Sequence, residues 1–194
     1  MNFRAVAAVA LIALHPGAAF DPAEPLVSPD RAYVLSGSET SHQLWLEETR
    51  THHRRTVLDQ VTLITMTLAW APDSSAFAVS DRFASDSEVA YIYDARTLDR
   101  LDLRSRIIAA YPDTARFVPG LDAAPHSYCH VMRWPDPQHV EVRLFGHTDG
   151  IRIGSTFRPG ECFDLRFRVG RDGDVQKISQ RVLPASDKGC EVIV

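Results

Sequence analysis

Short runs in which apolar and polar residues alternate recur along most of the chain. In residues 139–145, valine or leucine occupies every second position between His, Glu, Arg and Phe, and residues 162–169 show the same alternation. Successive side chains of a strand point to opposite faces, so these runs predict strands that are buried on one face only. The segment 171–173, Arg-Asp-Gly, is typical of a tight hairpin turn. The pattern therefore predicts an all-β protein built from short antiparallel strands.

A turn motif followed by such strands occurs twice with similar surroundings. One copy is Ser28-Pro29-Asp30-Arg31 and the other is Trp70-Ala71-Pro72-Asp73-Ser74, and each precedes a strand of small apolar residues. Proline presets φ in a turn of this kind, and the aspartate side chain can accept hydrogen bonds from the nearby backbone. Pro29 and Pro72 are 43 residues apart, a spacing that is typical of blade-type repeats.

The spacing predicts three four-stranded units, at about residues 26–60, 61–103 and 128–183. Trp134-Pro135-Asp136-Pro137 is a looser copy of the turn in the third unit, and residues 104–127 form an insertion with one short helix. A four-stranded meander has two faces that must both be covered, and stacking the units covers them. The alternative is a β-sandwich of about ten to twelve strands.

The two Pro-Asp turns resemble those of TolB-type and WD-like β-propeller repeats, in which a W-S-P-D-G/S turn joins the first two strands of a blade. The resemblance covers residues 26–103 and, more loosely, residues 128–183. A closed propeller typically has four to eight blades, whereas this chain has room for about three. The resemblance therefore implies a partial propeller. Its ends could stay open, be covered by the insertion, or be completed in a homodimer.

The first residues differ from the rest of the chain. Arg4 precedes an apolar run from Ala5 to Leu14, and Ala18-Ala19 offers the small residues of a cleavage site before Phe20. The run has about ten residues, while a membrane span needs roughly twenty. We therefore predict a signal peptide at residues 1–19 and a single periplasmic or secreted domain at residues 20–194, without an integral membrane segment. The alternative is a buried N-terminal helix.

The chain has three cysteines, Cys129, Cys162 and Cys190. An oxidising compartment would allow one disulfide among them, and all three pairings stay open, as do three reduced thiols. Their spacing fits no zinc-finger pattern.

Composition and motifs narrow the functional classes. A net charge of −4 without a basic stripe argues against nucleic-acid binding. The sequence contains no G-x-S-x-G elbow, phosphate loop or dinucleotide fingerprint. We therefore assign no catalytic, cofactor-binding or metal-ligating residue and expect no cofactor.

Two groups of polar residues contain side chains of the kinds that bind metal ions. His126 and His130 are four residues apart, but in a strand such residues stand about 13 Å from each other, too far to share a metal. Asp81, Asp86 and Glu88 crowd one segment that could bind calcium, but the spacing fits no standard loop. We therefore predict a solvated loop between two strands there.

These observations favour an exported, non-catalytic binding or scaffold protein that uses loops at one end of its units to contact a protein or a small polar ligand. The alternative is an exported hydrolase or metal-dependent enzyme. It predicts that loop histidines and carboxylates converge in one pocket, the candidates being His126, His130, His147, Asp81, Asp86 and Asp149.

Overall fold

The computed structural model describes most of the chain after residue 17. The described ranges are residues 18–21, 24–38, 40–60, 65–84, 87–117, 126–148, 151–153, 156–158 and 160–192. The predicted signal peptide thus lies outside the described residues except for Ala18–Ala19, which form the short strand β1.

The first unit is a separate four-stranded antiparallel sheet. Its strands pair in chain order and are β2 (Leu26–Val27), β3 (Tyr33–Ser38), β4 (Gln43–Glu48) and β5 (His53–Asp59). Leu35 lies opposite Leu46 in the β3–β4 register, and both are fully buried. The alternating apolar residues of these strands therefore lie on one face of the sheet, and that face is buried.

The second unit is also an antiparallel meander. Its strands are β6 (Met66–Trp70), β7 (Ala76–Ala84), β8 (Ser87–Asp94) and β9 (Arg100–Asp102). β1 pairs with β6, so that Ala18 lies opposite Leu68. The backbone N–H of Phe20 then donates to the carbonyl of Met66 at 2.8 Å, which extends this edge of the unit.

The third unit follows the insertion. Its strands are β10 (His126–Asp136), β11 (His139–His147), β14 (Glu161–Gly170) and β15 (Val175–Pro184). A small separate hairpin of β12 (Ile151–Ile153) and β13 (Thr156–Arg158) lies between β11 and β14 in the chain. β11 continues to His147, and the β12–β13 hairpin lies in the segment that connects it to β14.

The two Pro-Asp turns have the same geometry. In each, the aspartate, Asp30 or Asp73, accepts a hydrogen bond from the backbone N–H two residues further on. The next residue, Arg31 or Ser74, has a positive φ of 62° or 63°. Asp30 also donates its own backbone N–H to the hydroxyl of Ser74 at 2.9 Å, so the turns of neighbouring units contact each other.

Two apolar cores hold the units together. The first lies between unit 1 and one face of unit 2, and its buried residues are Phe20, Leu35, Leu44, Leu46, Met66, Leu68, Phe77, Val79, Tyr93 and Ala95. Each fully buried leucine or phenylalanine of this kind stabilises the fold by about 1.5–3 kcal/mol.

The second core lies between the other face of unit 2, the insertion and unit 3. Its buried residues are Ala71, Ala76, Ala78, Ala90, Ile92, Leu103, Ile107, Phe117, Cys129, Val131, Trp134, Val140, Val142, Leu144, Phe163, Leu165, Phe167 and Val169. Four alanines on unit 2 face larger side chains of unit 3, and this combination of small and large residues allows close packing.

A short parallel contact joins the second and third units into one sheet. Ser127 and Tyr128 of β10 pair with Ser87 and Glu88 of β8. Further along, β10 crosses the face of unit 2, where the backbone N–H of Val131 donates to a serine hydroxyl of β7 at 2.9 Å. The fold class is nevertheless as predicted: antiparallel four-stranded meanders that resemble part of a β-propeller.

The insertion is helical and covers the second core. Helix α1 (Leu103–Ala110) begins at Asp102, whose carboxylate accepts from the backbone N–H of Ser105 at 2.9 Å, as in other N-caps. A 3₁₀ helix (Pro112–Phe117) follows, and the ring of Phe117 stacks on Phe163 at 4.6 Å. Among the residues described, no helix has the length and apolar character that a membrane crossing requires.

Candidate ligand cleft

A cleft of about 540 Å³ lies where the β7–β8 end of unit 2 meets the outward face of unit 3. Strands from both units contribute to its lining, so it exists only in the packed array. The lining residues are Thr65, Met66, Thr67, Arg82, Glu88, His130, Met132, Arg143 and Phe145.

Two arginines on two stacked aromatic rings form one side of the cleft. Tyr128 and Phe145 lie opposite each other in the β10–β11 register, with ring centroids 5.1 Å apart. The guanidinium of Arg82 lies 4.5 Å from the Tyr128 ring, and that of Arg143 lies 4.1 Å from the Phe145 ring. Arg143 also donates to both carboxylate oxygens of Asp164, at 3.0 and 3.1 Å. These contacts fix the guanidinium plane of Arg143, while the exposed guanidinium of Arg82 lies over the Tyr128 ring.

A carboxylate–imidazole pair forms another side. His130 Nδ1 lies 2.6 Å from Glu88 Oε1, and the Glu88 side chain is only 9% exposed. The parallel contact between β8 and β10 brings the two residues together, because Glu88 pairs with Tyr128, two residues before His130. The buried carboxylate therefore has a hydrogen-bonding partner within the cleft.

Asp81 lies close to this pair but faces the other way. Alternation along β7 places it on the face that carries Phe77 and Val79, which pack against unit 1. Its side chain is buried, and Oδ1 has no hydrogen-bond partner within the described part of the chain. Burial raises the pKa of Asp81, and the negative charge of Glu88 raises it further.

The solvated loop predicted for residues 81–88 is wrong for the residues that the structure describes. Asp81 belongs to β7 and Glu88 to β8, and both are 7% exposed. The many polar residues of this segment suggest a loop, but two of them lie at inward positions of a hairpin. Asp86 lies outside the described residues.

The histidines and carboxylates named for the enzyme alternative do not meet at one point in the described ranges. His126 stacks on His147, with ring centroids 4.3 Å apart, whereas His130 lies in the cleft. Asp149, like Asp86, lies outside the described residues. Nor do these ranges contain a group of three or more His, Cys, Asp or Glu side chains placed to hold a metal ion.

Sequence reasoning missed the arginines and aromatic residues of the cleft. Arg143 and Phe145 stand at outward positions of the run 139–145, whose alternation predicts a strand. What the sequence alone does not give is the register with β10, which places Tyr128 and His130 beside them. Arg82 lies in the segment 81–88, for which the sequence predicts a loop.

One disulfide is present, between Cys162 and Cys190, with Cα atoms 5.6 Å apart. It joins β14 to the C-terminal 3₁₀ helix (Lys188–Val192). Cys129 is a free, fully buried thiol, and burial raises its pKa to about 12. Of the three pairings left open by the sequence, this is the one that forms.

Three stacked units of this kind define a partial β-propeller-like array. No protein-family model matches the chain, and no curated protein matches it. Similarity is found among solved structures, and two of those matched are TolB proteins, the family that the Pro-Asp turns resemble.

TolB from Acinetobacter baumannii is 15% identical, with a TM-score of 0.37 over 84% of this chain and 32% of its own. A putative TolB from Agrobacterium tumefaciens is 13% identical, with a TM-score of 0.30 over 91% of this chain and 63% of its own. An acylaminoacyl peptidase from Pyrococcus horikoshii is 9% identical, with a TM-score of 0.36 over 79% and 23%. The chain thus spans less than two thirds of each of these proteins.

Proposed function

We propose that this protein is an exported, non-catalytic binding protein and that the cleft between units 2 and 3 is its ligand site. The observation that carries the proposal is the pair of arginines held on stacked aromatic rings, Arg82 on Tyr128 and Arg143 on Phe145. Cation–π contacts, and for Arg143 a bidentate pair with a carboxylate, position the guanidinium groups as hydrogen-bond donors for a ligand. Such pre-organisation lowers the cost of ordering side chains on binding.

The contacts in the cleft favour binding over catalysis. Glu88 and His130 are paired with each other, and Arg143 is paired with Asp164. The hydroxyl groups among the described lining residues belong to Thr65 and Thr67. These donors and acceptors are groups that a bound polar ligand can contact.

The lining also indicates the kind of ligand. Guanidinium groups bind carboxylates and other planar anions, and the neighbouring side chain of Met132, which is half-buried, is apolar and adaptable. A small polar ligand, or the C-terminus of a peptide, fits this lining if it has an anionic group for the guanidinium groups and an apolar part for the apolar side chains. Export is supported by the predicted signal peptide and by the disulfide, which is typical of oxidising compartments.

The proposal can be tested by NMR titration of the mature protein with the peptide Ac-Gly-Leu-Glu. Perturbed amide signals are expected for the cleft residues and should largely disappear in Arg82→Gln, which removes a cleft cation while leaving the Arg143–Asp164 pair intact. Arg96→Gln is the matched control, because Arg96 is exposed on the turn after β8, away from the cleft.

Two results would contradict the proposal: shifts that map elsewhere, or an Arg82 variant that binds as well as the wild type. Cleavage of the peptide during the titration would support the hydrolase alternative instead.

A further inference from the structure

Strand β15 ends the large sheet within the part of the chain that the structure describes. It is ten residues long and pairs with β14 on one side only. Residues 176–181 are exposed, and the side chain of Ile178 is 49% exposed. A long exposed edge of this kind presents backbone N–H and C=O groups to which another strand can pair.

A tyrosine already occupies part of this edge. The backbone N–H of Lys177 donates to the hydroxyl of Tyr111 at 3.1 Å, and that hydroxyl donates to the carbonyl of Val175 at 3.5 Å. The phenol thus takes the place of a partner strand at the start of β15. No strand among the described residues pairs with the outer side of residues 178–183.

A groove of about 720 Å³ lies along this edge, on the side of the insertion. Lys177 lies 5.0 Å from the ring of Tyr111, and Arg116 lies 4.5 Å from the ring of Phe117 and 3.8 Å from Glu161. The groove therefore combines aromatic surface with two cations, Lys177 and Arg116, and one acidic residue, Asp113, at the side of the exposed strand.

The other face of the edge is cationic as well. Arg181 lies opposite Asp164 and Ser179 lies opposite Arg166 in the β14–β15 register. Arg166 and Arg181 are both exposed, and neither forms an ion pair with a residue that the structure describes. β15 itself contains two cations and no acidic residue.

We propose that the edge of β15 binds an extended, acidic polypeptide segment, which adds to the sheet as a further strand. Pairing through backbone groups requires a polypeptide partner, and cations on both faces of the edge favour acidic side chains. A second copy of this chain fits less well, because antiparallel pairing centred on Ser179 would place Lys177 opposite Arg181. This surface is separate from the cleft, so the inference goes beyond the proposed function.

The probe is the peptide Ac-Thr-Glu-Glu-Val-Glu-Glu-Thr-NH₂, whose glutamates point to both faces of an extended strand. It is compared with its analogue in which every Glu is replaced by Gln. We expect the acidic peptide to slow hydrogen exchange of backbone amides within residues 178–183. The double variant Lys177→Gln/Arg181→Gln should bind it about tenfold more weakly, which corresponds to about 1.4 kcal/mol. The matched control is Arg54→Gln on the exposed edge strand β5 of unit 1, which should bind as the wild type does.

Equal binding of the Gln analogue would overturn the proposal, as would protection that appears on β5 rather than on β15. Protection of β15 that rises with protein concentration in the absence of peptide would also overturn it and would identify a second copy as the partner. Circular dichroism of each variant checks that the fold is retained.

Discussion

The indole nitrogen of Trp134 donates a hydrogen bond of 3.1 Å to the carbonyl of Ala69, in the preceding unit of the array. Trp70 makes the equivalent contact one unit earlier, donating to the carbonyl of Leu26 at 3.2 Å. Ala69 and Leu26 each lie three residues before the proline of a Pro-Asp turn. The same tryptophan contact therefore joins unit 1 to unit 2 and unit 2 to unit 3.

Replacing Trp134 or Trp70 by phenylalanine should destabilise the protein by about 1–3 kcal/mol, because a partly buried carbonyl loses its hydrogen-bond donor. Chemical denaturation measures the change in the free energy of unfolding. Trp45→Phe is the control, since the contact of Trp45 is with the exposed guanidinium of Arg54 at 5.9 Å. A loss in the control as large as that in the two variants would show that ring size, not the inter-unit hydrogen bond, matters.

The stacking of the units could be predicted because its signals are local. A Pro-Asp turn needs only neighbouring residues to form, and Asp30 and Asp73 make the same local hydrogen bonds in the structure. The alternation in residues 139–145 likewise needs no knowledge of the partner strand. These features are sufficient to predict the fold class, and the isoleucines among basic and small residues at 104–110 predict the helix of the insertion.

The cleft could not be predicted, because it depends on contacts between strands that are distant in sequence. Glu88 and His130 are 42 residues apart and meet only through the parallel contact of β8 with β10. That contact, in turn, requires the insertion to return the chain to the edge of unit 2. Asp81 is a further case: its polar neighbours suggest a loop, while its burial follows from the packing of unit 1 on β7.

The buried carboxyl of Asp81 should make stability depend on pH. Because its pKa is raised in the folded protein, the folded state binds more protons than the unfolded state as pH rises from 3.8 through the folded pKa. Its contribution to stability is therefore present below that window and lost across it. We expect Asp81→Asn to be more stable than the wild type at pH 7, because the amide carries no charge, and to approach the stability of the wild type at low pH, where Asp81 is protonated.

Glu141 supplies a control of opposite sign for the same measurement. Hydrogen bonds from Arg133 lower the pKa of Glu141, so its contribution is present above 4.5 and lost as pH falls through the folded pKa. Glu141→Gln should therefore lose stability at neutral pH, where Asp81→Asn gains it. Thermal melts from pH 3 to pH 8 compare the two, and a pH-independent difference between Asp81→Asn and the wild type would contradict the burial argument.

The disulfide should contribute strongly to stability. Cys162 and Cys190 close a loop with a sequence separation of 28, for which chain entropy gives about 3–4 kcal/mol. Cys162→Ser/Cys190→Ser should lower the free energy of unfolding by that amount.

In the oxidised wild type, Ellman's reagent should detect the thiol of Cys129 only after unfolding, because the thiol is buried and its pKa is about 12. A rapidly reacting thiol in the native protein would contradict this assignment.

Cleavage of the predicted signal peptide before Phe20 should leave the first core intact. The ring of Phe20 is 6% exposed, and its backbone nitrogen, which would become the α-amino group, donates to Met66. We expect the protein recovered from the periplasm of an expression host to have a mass that begins at Phe20. A mass that includes Ala18 and Ala19 would show instead that β1 belongs to the mature protein.

The burial of Phe20 leads to a stability prediction that is independent of processing. Phe20→Ala removes a ring that packs in the core between units 1 and 2, and losses of this kind cost about 3–5 kcal/mol. Phe83→Ala is the matched control, because the side chain of Phe83 is 57% exposed and should cost little. Denaturant titration measures the free energy of unfolding of both variants, in the full-length chain and in a chain that starts at Phe20. The comparison separates the contribution of the Phe20 ring from the effect of removing residues 1–19. Equal stabilities for the two alanine variants would show that the N-terminal residue is not anchored in the core, and the edge of β6 would then be open to solvent.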